Sequence, residues 1–170
     1  ISRLLVMDLI TILICSLIAI ATFLSWEFVA WFTHKYVMHG FLWVWHKSHH
    51  TVHDHALEKN DWFAVVFSIP SIVLFIISTT VYKSPYLFSV AVGIVCYGAF
   101  YLIFHDIIVH QRLKWRPKKR SSYLSRMINA HYVHHSKHTK ENCEAFGFLI
   151  VPRKYRVSNL HLKKDRQSTQ

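Results

Sequence analysis

Histidines recur in this chain in a two-part phrase that is stated twice. The phrase is His-x4-His followed by His-x2-His-His, and the same two spacings return about seventy residues later. Ten of the 14 histidines belong to it: His34, His39, His46, His49 and His50 in the first copy, and His105, His110, His131, His134 and His135 in the second. Chance gives no reason for such a period or for its repetition.

Metal binding is the chemistry that this pattern predicts. Neutral imidazole is the commonest metal ligand in proteins, and ten imidazoles are too many for one ion but suit two. Carboxylates do not recur in the phrase, so the pattern differs from the Glu and Glu-x-x-His ligands of soluble di-iron bundles. Because imidazole suits Fe, Zn, Cu and Ni, the ligand type alone leaves the metal open.

The two spacings differ in how well they fit a helix. Residues at i, i+3 and i+4 share one helix face, so the three histidines of each His-x2-His-His motif can point at one region. The i, i+5 pairs are about 140° apart on an ideal helix. Either the helix is distorted at these pairs, for example by a π-bulge, or the two histidines of a pair bind different ions.

The rest of the composition indicates a membrane protein of one domain, residues 1–170. Hydrophobic residues make up 52% of the chain while the formal net charge is +11, a combination that a membrane protein with basic flanks reaches naturally. The three cysteines stand at unrelated spacings, which implies neither a disulfide framework nor a zinc ribbon.

Apolar stretches predict the spans that must position the histidines. Residues 4–24, 62–82 and 86–104 are long and apolar enough to cross a bilayer. The aromatic-rich residues 26–45 either extend the first helix beyond the bilayer or form a fourth segment. We therefore expect an all-α integral membrane protein with three spans, or four on the second reading.

The predicted connectivity brings all the histidines to one face of the membrane. The second and third spans form a hairpin around the short turn at Lys83, and no span separates either end of this hairpin from the neighbouring motif. Fifteen of the 20 lysines and arginines follow His110, in a basic region at 111–170. By the positive-inside rule this face is cytoplasmic.

The basic region suggests two kinds of partner. Basic residues beside a membrane bind anionic lipid headgroups, and the same charge can dock an acidic electron-transfer protein. Nucleic acid is excluded as a partner because no recognition fold or stacking motif accompanies the charge. Gly93 and Gly98 are expected to allow close helix approach, and residues 145–152 are too short to cross the bilayer, so they pack over the site or lie at the interface.

A two-metal site against apolar helices favours oxygen activation at iron on a lipid-like substrate that arrives from the bilayer. Hydrolysis would need a polar substrate and usually a carboxylate base. A metal-handling membrane protein is the alternative outside enzymes. Transport predicts charged or histidine residues within the spans, and residues 62–82 and 86–104 contain no Asp, Glu, Lys, Arg or His.

The motifs resemble those of bacterial β-carotene hydroxylases (carotenoid 3-hydroxylases), in the fatty-acid hydroxylase and sterol desaturase superfamily. Besides the histidines, the resemblance includes Glu58-x-Asn60-Asp61, Asp106, Gln111-Arg112 and Phe146-Gly-Phe-Leu149, and it covers most of the chain from Glu27 to Pro152. The histidine motifs alone specify the superfamily, whereas His-Lys-Tyr-x-Met-His-Gly and His-Asp-x3-His-Gln-Arg indicate the carotenoid branch.

The resemblance implies a non-haem di-iron monooxygenase of the bacterial inner membrane. It would use O₂ and electrons from a ferredoxin-type donor to hydroxylate C3 of β-ionone rings, from β-carotene through β-cryptoxanthin to zeaxanthin, and also rings of keto-carotenoids. The ten histidines would be the iron ligands, and zinc could replace iron in a purified preparation. A hydroxylase or desaturase of fatty acyl or sterol substrates is the alternative, which the shape of the pocket decides.

Further residues are candidates for supporting roles. On this reading Asp106 orients the His105 imidazole, while Asn60 and Asp61 do the same or cap the next helix. Glu27 is either a buried acid behind the ligands or an interfacial carboxylate. His53, His55 and His138 lie outside the phrase and are expected to face solvent, to substitute as ligands or to relay protons. The candidates for the apolar approach to the metals are Trp26, Trp31, Phe32, Phe100, Tyr101 and Phe104.

Overall fold

Helices form all the regular structure in the residues that the computed structural model describes, which are 8–51, 57–115 and 117–156. Five α-helices follow one another in these described ranges: α1 (Leu9–Phe32), α2 (Trp43–His46), α3 (Trp62–Ile76), α4 (Pro85–Tyr101) and α5 (Ser122–His135).

Several of these helices continue directly into helical segments of a different pitch. Segments of π-helix follow α1, α3 and α4 at Thr33–Phe41, Ile77–Val81 and Leu102–Val109. Short 3₁₀-helices lie at Lys47–His50, Lys59–Asp61 and Arg153–Tyr155.

Within the described ranges, three continuous helices are long and apolar enough to cross a membrane: Leu9–Phe41, Lys59–Val81 and Pro85–Val109. The fourth segment considered for residues 26–45 is not a separate span, since the first helix runs through this region as far as Phe41. Its end coincides with the non-helical backbone of Gly40 (φ −100°, ψ −122°). Residues 4–7 of the first predicted span lie outside the described residues.

Polar side chains cap the N-termini of α1, α4 and α5. The Asp8 carboxylate accepts a hydrogen bond from the Thr11 amide (2.7 Å) at the start of α1, and the hydroxyl of Ser121 accepts one from Leu124 at the start of α5 (3.1 Å). Ser84 has the same role for α4, where Pro85 follows at the first helical position. Each side chain satisfies an amide that the first helical turn leaves without a partner.

Helix α4 is the centre of the membrane part, and α1 and α3 pack on its two sides. Gly93 makes the contact with α1 possible, because a Cβ there would lie 2.6 Å from both the Ala19 oxygen and the Thr22 Cβ. Gly98 was expected to have the same role, but this prediction is wrong. A Cβ at Gly98 would meet no heavy atom within 4 Å, because this face of α4 borders a cavity.

Beyond the spans, α5 and the chain that follows it pack against the end of the third long helix. The buried apolar residues of this core are Phe104, Val109, Met127, Ile128, Ala130, Phe148, Val151 and Tyr155. Burying such side chains stabilises the contact by about 1.5–3 kcal/mol for each large residue. The core therefore holds the second histidine phrase against the first.

Candidate metal centre

The ten histidines of the two phrases come together as two groups of five. The first group is His34, His39, His46, His50 and His134, and the second group is His49, His105, His110, His131 and His135. Within each group, one ring nitrogen from every member lies within 4.8 Å of the others. The predicted convergence of the motifs on one region is confirmed.

Each phrase supplies four members to one group and a single member to the other. The exception is the middle histidine of each His-x2-His-His motif: His49 joins the second group and His134 joins the first. The expectation that all three histidines of a motif point at one region is therefore wrong in detail. The i and i+4 residues share a group, whereas the i+3 residue points to the neighbouring one.

The His-x4-His pairs share a group because the backbone is π-helical at both of them. His34 and His39 lie in the Thr33–Phe41 segment, and His105 lies in the Leu102–Val109 segment with His110 next to its end. Hydrogen bonds from i to i+5 close a wider turn than in an α-helix, which returns residue i+5 to the face of residue i. The predicted helix distortion is confirmed. The alternative, in which the two histidines of a His-x4-His pair bind different ions, is wrong, because both histidines of each pair belong to the same group.

Backbone carbonyls orient most of the first group. The Nδ1 atoms of His34, His39, His50 and His134 each lie 2.8–3.2 Å from a carbonyl oxygen of the chain after α5, and these oxygens belong to Phe146, Lys140, Lys137 and Glu144. The Nδ1 of His46 lies 2.7 Å from the side-chain oxygen of Asn60. Residues 137–146 therefore wrap this group, and sequence reasoning missed them because every residue has a carbonyl.

These contacts determine where the ring hydrogens are. A carbonyl or amide oxygen can only accept, so each Nδ1 of the first group donates and each Nε2 keeps a lone pair. Yet Nε2 of His34 is 3.1 Å from Nε2 of His46, and the same distance separates His39 from His134. Lone pairs that face each other so closely repel unless a cation lies between them.

A metal ion bound between the rings would remove this repulsion. With metal–imidazole bonds of about 2.1 Å, two rings bound at right angles have their nitrogens about 3.0 Å apart, close to the separations observed. The second group shows similar distances, 2.8 Å between Nε2 of His49 and His105 and 2.9 Å between those of His110 and His131. The buried Nε2 of His135 has no hydrogen-bond partner. The donor set fits one metal ion in each group.

Burial also keeps the imidazoles outside the spans neutral. It lowers the pKa of His46 to about 2 and that of His134 to about 3, and it lowers the pKa values of His50 and His110 to about 4. Loss of hydration is the largest cause at each, and at His134 the charge that His50 would carry adds to it. A neutral imidazole is the form that binds a metal.

Carboxylates orient two members of the second group. The Nδ1 of His105 lies 2.6 Å from Asp106, as predicted, and that of His49 lies 3.2 Å from Glu58. Arg112 bridges Glu58 and Asp61 at 2.9 and 2.6 Å. Glu58 and Arg112 stand in the quoted motifs, but sequence reasoning gave them no role.

Removing the Glu58 carboxylate is expected to weaken metal binding in the second group. Partners of metal-binding histidines typically contribute 10–100-fold to affinity, so Glu58→Ala should lower it by about that much, whereas Glu58→Gln keeps an acceptor for His49 and should cost only a few-fold. Titration of the purified protein against a competing chelator measures the change. Glu141→Ala removes an exposed carboxylate (70% side-chain exposure) and is the control; equal affinity in Glu58→Ala and this control would contradict the role.

The other predicted supporting residues occupy different places. Asn60 contacts His46 as described, whereas Asp61 accepts from the Glu58 amide (2.9 Å) and from Arg112, so it stabilises the turn before α3. Glu27 makes no hydrogen bond to any of the ten histidines of the phrases. It is buried, and its carboxylate accepts hydrogen bonds from three consecutive amides, those of Phe148, Leu149 and Ile150, and from the Tyr97 hydroxyl.

In the part of the chain that the structure describes, the one histidine outside the phrase takes no part in either group. His138 is exposed, and its Nδ1 donates to the backbone oxygen of His50 (2.6 Å). His53 and His55 lie outside the described residues. Residues 145–152 pack over the site, where the Phe148 ring stacks 5.8 Å from the ring of His34.

A cavity of about 410 Å³ lies between α1, α3 and α4, with His34, His46 and His105 at one end. Both groups therefore border the same space. Trp26 and Tyr101 line it, as expected for the approach to the metals. The other four candidates do not, since they lie on other helix faces: Phe104 is in the buried core, Phe100 packs against it, Phe32 is 47% exposed and Trp31 stacks on Phe28.

The sequence is similar to that of known proteins. The fatty acid hydroxylase family model matches residues 19–151, which include all ten histidines. The chain is 44% identical to the β-carotene hydroxylase of Paracoccus sp. (strain PC1) over 137 residues, 80% of this chain and 83% of the relative. It is 42% identical to the Pantoea ananas β-carotene hydroxylase over 138 residues, 81% and 77% of the two chains.

More distant relatives occur in plants. The chloroplastic β-carotene hydroxylase 2 of Capsicum annuum is 32% identical over 131 residues, which are 75% of this chain and 41% of the longer plant protein. No solved structure gives a significant match. Since the family model spans most of the sequence and both histidine groups fall within it, the chain belongs to the fatty acid hydroxylase family.

Proposed function

We propose that this protein is an O₂-dependent, non-haem di-iron monooxygenase of the membrane that hydroxylates C3 of the β-ionone rings of carotenoids. The observation that carries the proposal is the pair of five-histidine groups at the end of one apolar cavity. The names and identities of the bacterial relatives support the substrate class. When bound, two irons would supply the activation of O₂ that an unreactive C–H bond requires.

The overall reaction converts a ring C–H bond and O₂ into a C–OH bond and water, with two electrons and two protons. A ferredoxin-type donor would supply the electrons, and the basic region at 111–170 supports docking of such an acidic protein and of anionic lipid headgroups. The charge distribution also favours a cytoplasmic position for the site, at the bacterial inner membrane.

The residues of the chain position the ring and keep water away from it. Trp26 and Phe63 give the cavity apolar walls, and the Phe63 ring lies 6.4 Å from the ring of His46 in the first group. A hydrocarbon ring can therefore displace water at the histidines. The Tyr101 hydroxyl lies 3.4 Å from Nε2 of His105 and places a hydrogen-bonding group at the metal end. Holding the ring in one orientation there lowers the entropic part of the barrier.

Pigment analysis of cells that accumulate β-carotene tests the proposal. Expression of this chain should produce mono- and dihydroxylated rings, separable by chromatography and mass spectrometry. The double variant His49→Ala, His134→Ala removes one ligand from each group and is the matched inactive control. If β-carotene stays unchanged while the protein is in the membrane with two irons and a competent ferredoxin, fatty acyl or sterol substrates become the better assignment.

A further inference from the structure

The cavity has a floor formed by one face of α4. Ile94, Gly98, Tyr101 and His105 line it and follow one another at intervals of three or four residues, which places them on one side of the helix. On one side wall the lining extends from Asp61, just before α3, to Ser71 within it, ten residues or roughly 15 Å. The space is therefore an elongated groove that leads away from the histidines along the helices.

The groove is open on the side away from α4. Helices α1 and α3 each pack on α4 but make few contacts with each other. Val95 and Leu102 line the groove and are still 47% and 52% exposed. In a membrane, this opening faces the hydrocarbon region, so a long apolar molecule can enter sideways and leave part of its length in the lipid.

Gly98 lies on the floor of the groove at some distance from the histidines. It precedes His105 by seven residues, about 10 Å along the helix, so it lies beyond the space that a single ring would fill at the histidines. No heavy atom lies within 4 Å of the position that a Cβ would take. Helix packing therefore does not require a glycine here, in contrast to Gly93.

We propose that Gly98 determines which substrates fit, by setting the depth of the groove where the conjugated chain of a carotenoid lies while its ring is at the histidines. This inference rests on the proposed function. A conjugated chain is flat and stiff, and its carbons make contact at about 3.5–4.0 Å from the surface beneath. At a glycine that surface is the helix backbone. A branched side chain at this position would occupy the space above the backbone in which the conjugated chain of the carotenoid lies.

A graded series at this position tests the proposal. Gly98→Ala, Gly98→Val and Gly98→Leu are purified, loaded with iron and assayed with β-carotene in phosphatidylcholine vesicles, with a ferredoxin and its reductase. We expect kcat/KM to fall with side-chain volume, by less than about threefold for alanine and at least tenfold for valine and leucine. Cys96→Leu is the control, because Cys96 is exposed on the same helix and does not line the groove.

Metal content separates a blocked groove from a damaged protein. We expect Gly98→Val and Gly98→Leu to keep a wild-type iron content while their turnover of β-carotene falls. β-Ionone has the ring but only a short tail, so its turnover should fall less in these variants than that of β-carotene. Wild-type kcat/KM in both variants, or losses that match a loss of iron, would overturn the role of Gly98. Absence of hydroxylation by the wild-type chain would instead refute the proposed function.

Discussion

Replacing His134 with alanine is expected to release the metal ion from the first group and to abolish hydroxylation. His134 is fully buried, its Nδ1 donates to the Glu144 oxygen at 2.8 Å, and its Nε2 lies 3.1 Å from that of His39. Alanine removes one of the five imidazoles and leaves a cavity at a fully buried position. Because losing only the partner of a ligand costs 10–100-fold in affinity or activity, losing the ligand should cost more than about 100-fold.

The division of the motifs between groups makes this prediction sharper. His134 and His135 are adjacent in the chain but belong to different groups. The double variant His34→Ala, His134→Ala therefore damages one group and should retain about one metal ion per chain. The variant His134→Ala, His135→Ala damages both and should retain fewer. Elemental analysis of the purified proteins measures both values.

His138→Ala is the control for these variants. This histidine lies on the same stretch, is exposed and donates only to a backbone oxygen, that of His50, so activity and metal content should stay within about threefold of wild type. Equal metal content in the two double variants would contradict the division of the histidines, and full hydroxylation by His134→Ala would contradict the site itself.

The spacing of the histidines was enough to predict two metal ions but not which histidine serves which ion. Periodicity says which residues share a helix face, whereas the assignment of His49 and His134 to the opposite groups depends on how α5 packs across the first phrase. That packing arises from contacts such as those of Met127 and Phe148. The residues that make these contacts are far apart in sequence, so no local pattern predicts the packing.

Hydropathy predicted the three spans because each is a continuous apolar run, and it failed where a helix continues beyond the apolar part. Residues 26–45 were ambiguous for this reason, since His34 and Lys35 lower the hydropathy of a helix that continues from α1 to the kink at Gly40. The approach residues were predicted from aromatic content alone. Only the rotation of each helix about its axis separates Tyr101, which lines the groove, from Phe100, which does not.

The partners of Glu27 could not be predicted from the sequence, although its residue type indicated that it needs some. A carboxylate beside aromatic residues in a membrane helix must find hydrogen-bond donors or stay at the interface. The donors are the amides of residues 148–150, more than 120 positions away, which no spacing rule connects to it. Gly147 makes the approach possible, since a Cβ there would lie 2.8 Å from the Glu27 Oε1.

Glu27→Ala is expected to have the largest effect of any substitution outside the two histidine groups. It leaves the amides of Phe148, Leu149 and Ile150 and the Tyr97 hydroxyl without their acceptor. A buried donor that loses its partner costs about 1–3 kcal/mol, and two of the four hydrogen bonds, those of the Phe148 amide and the Tyr97 hydroxyl, are buried. The loss is therefore a large fraction of the stability of a small domain. Thermal unfolding in detergent should show a clear decrease in Tm.

Glu27→Ala should also weaken metal binding, because residues 145–152 include one that contacts a histidine of the first group. The Phe146 oxygen orients His34 at 2.9 Å, two residues before the first amide that Glu27 holds. Glu27→Gln is the matched variant: its amide oxygen can accept from the backbone, while its NH₂ group donates to the Tyr97 oxygen. We expect Glu27→Ala to lower both Tm and metal content and Glu27→Gln to keep most of each. A lower Tm with a full metal complement would show that Glu27 stabilises the fold but does not position His34.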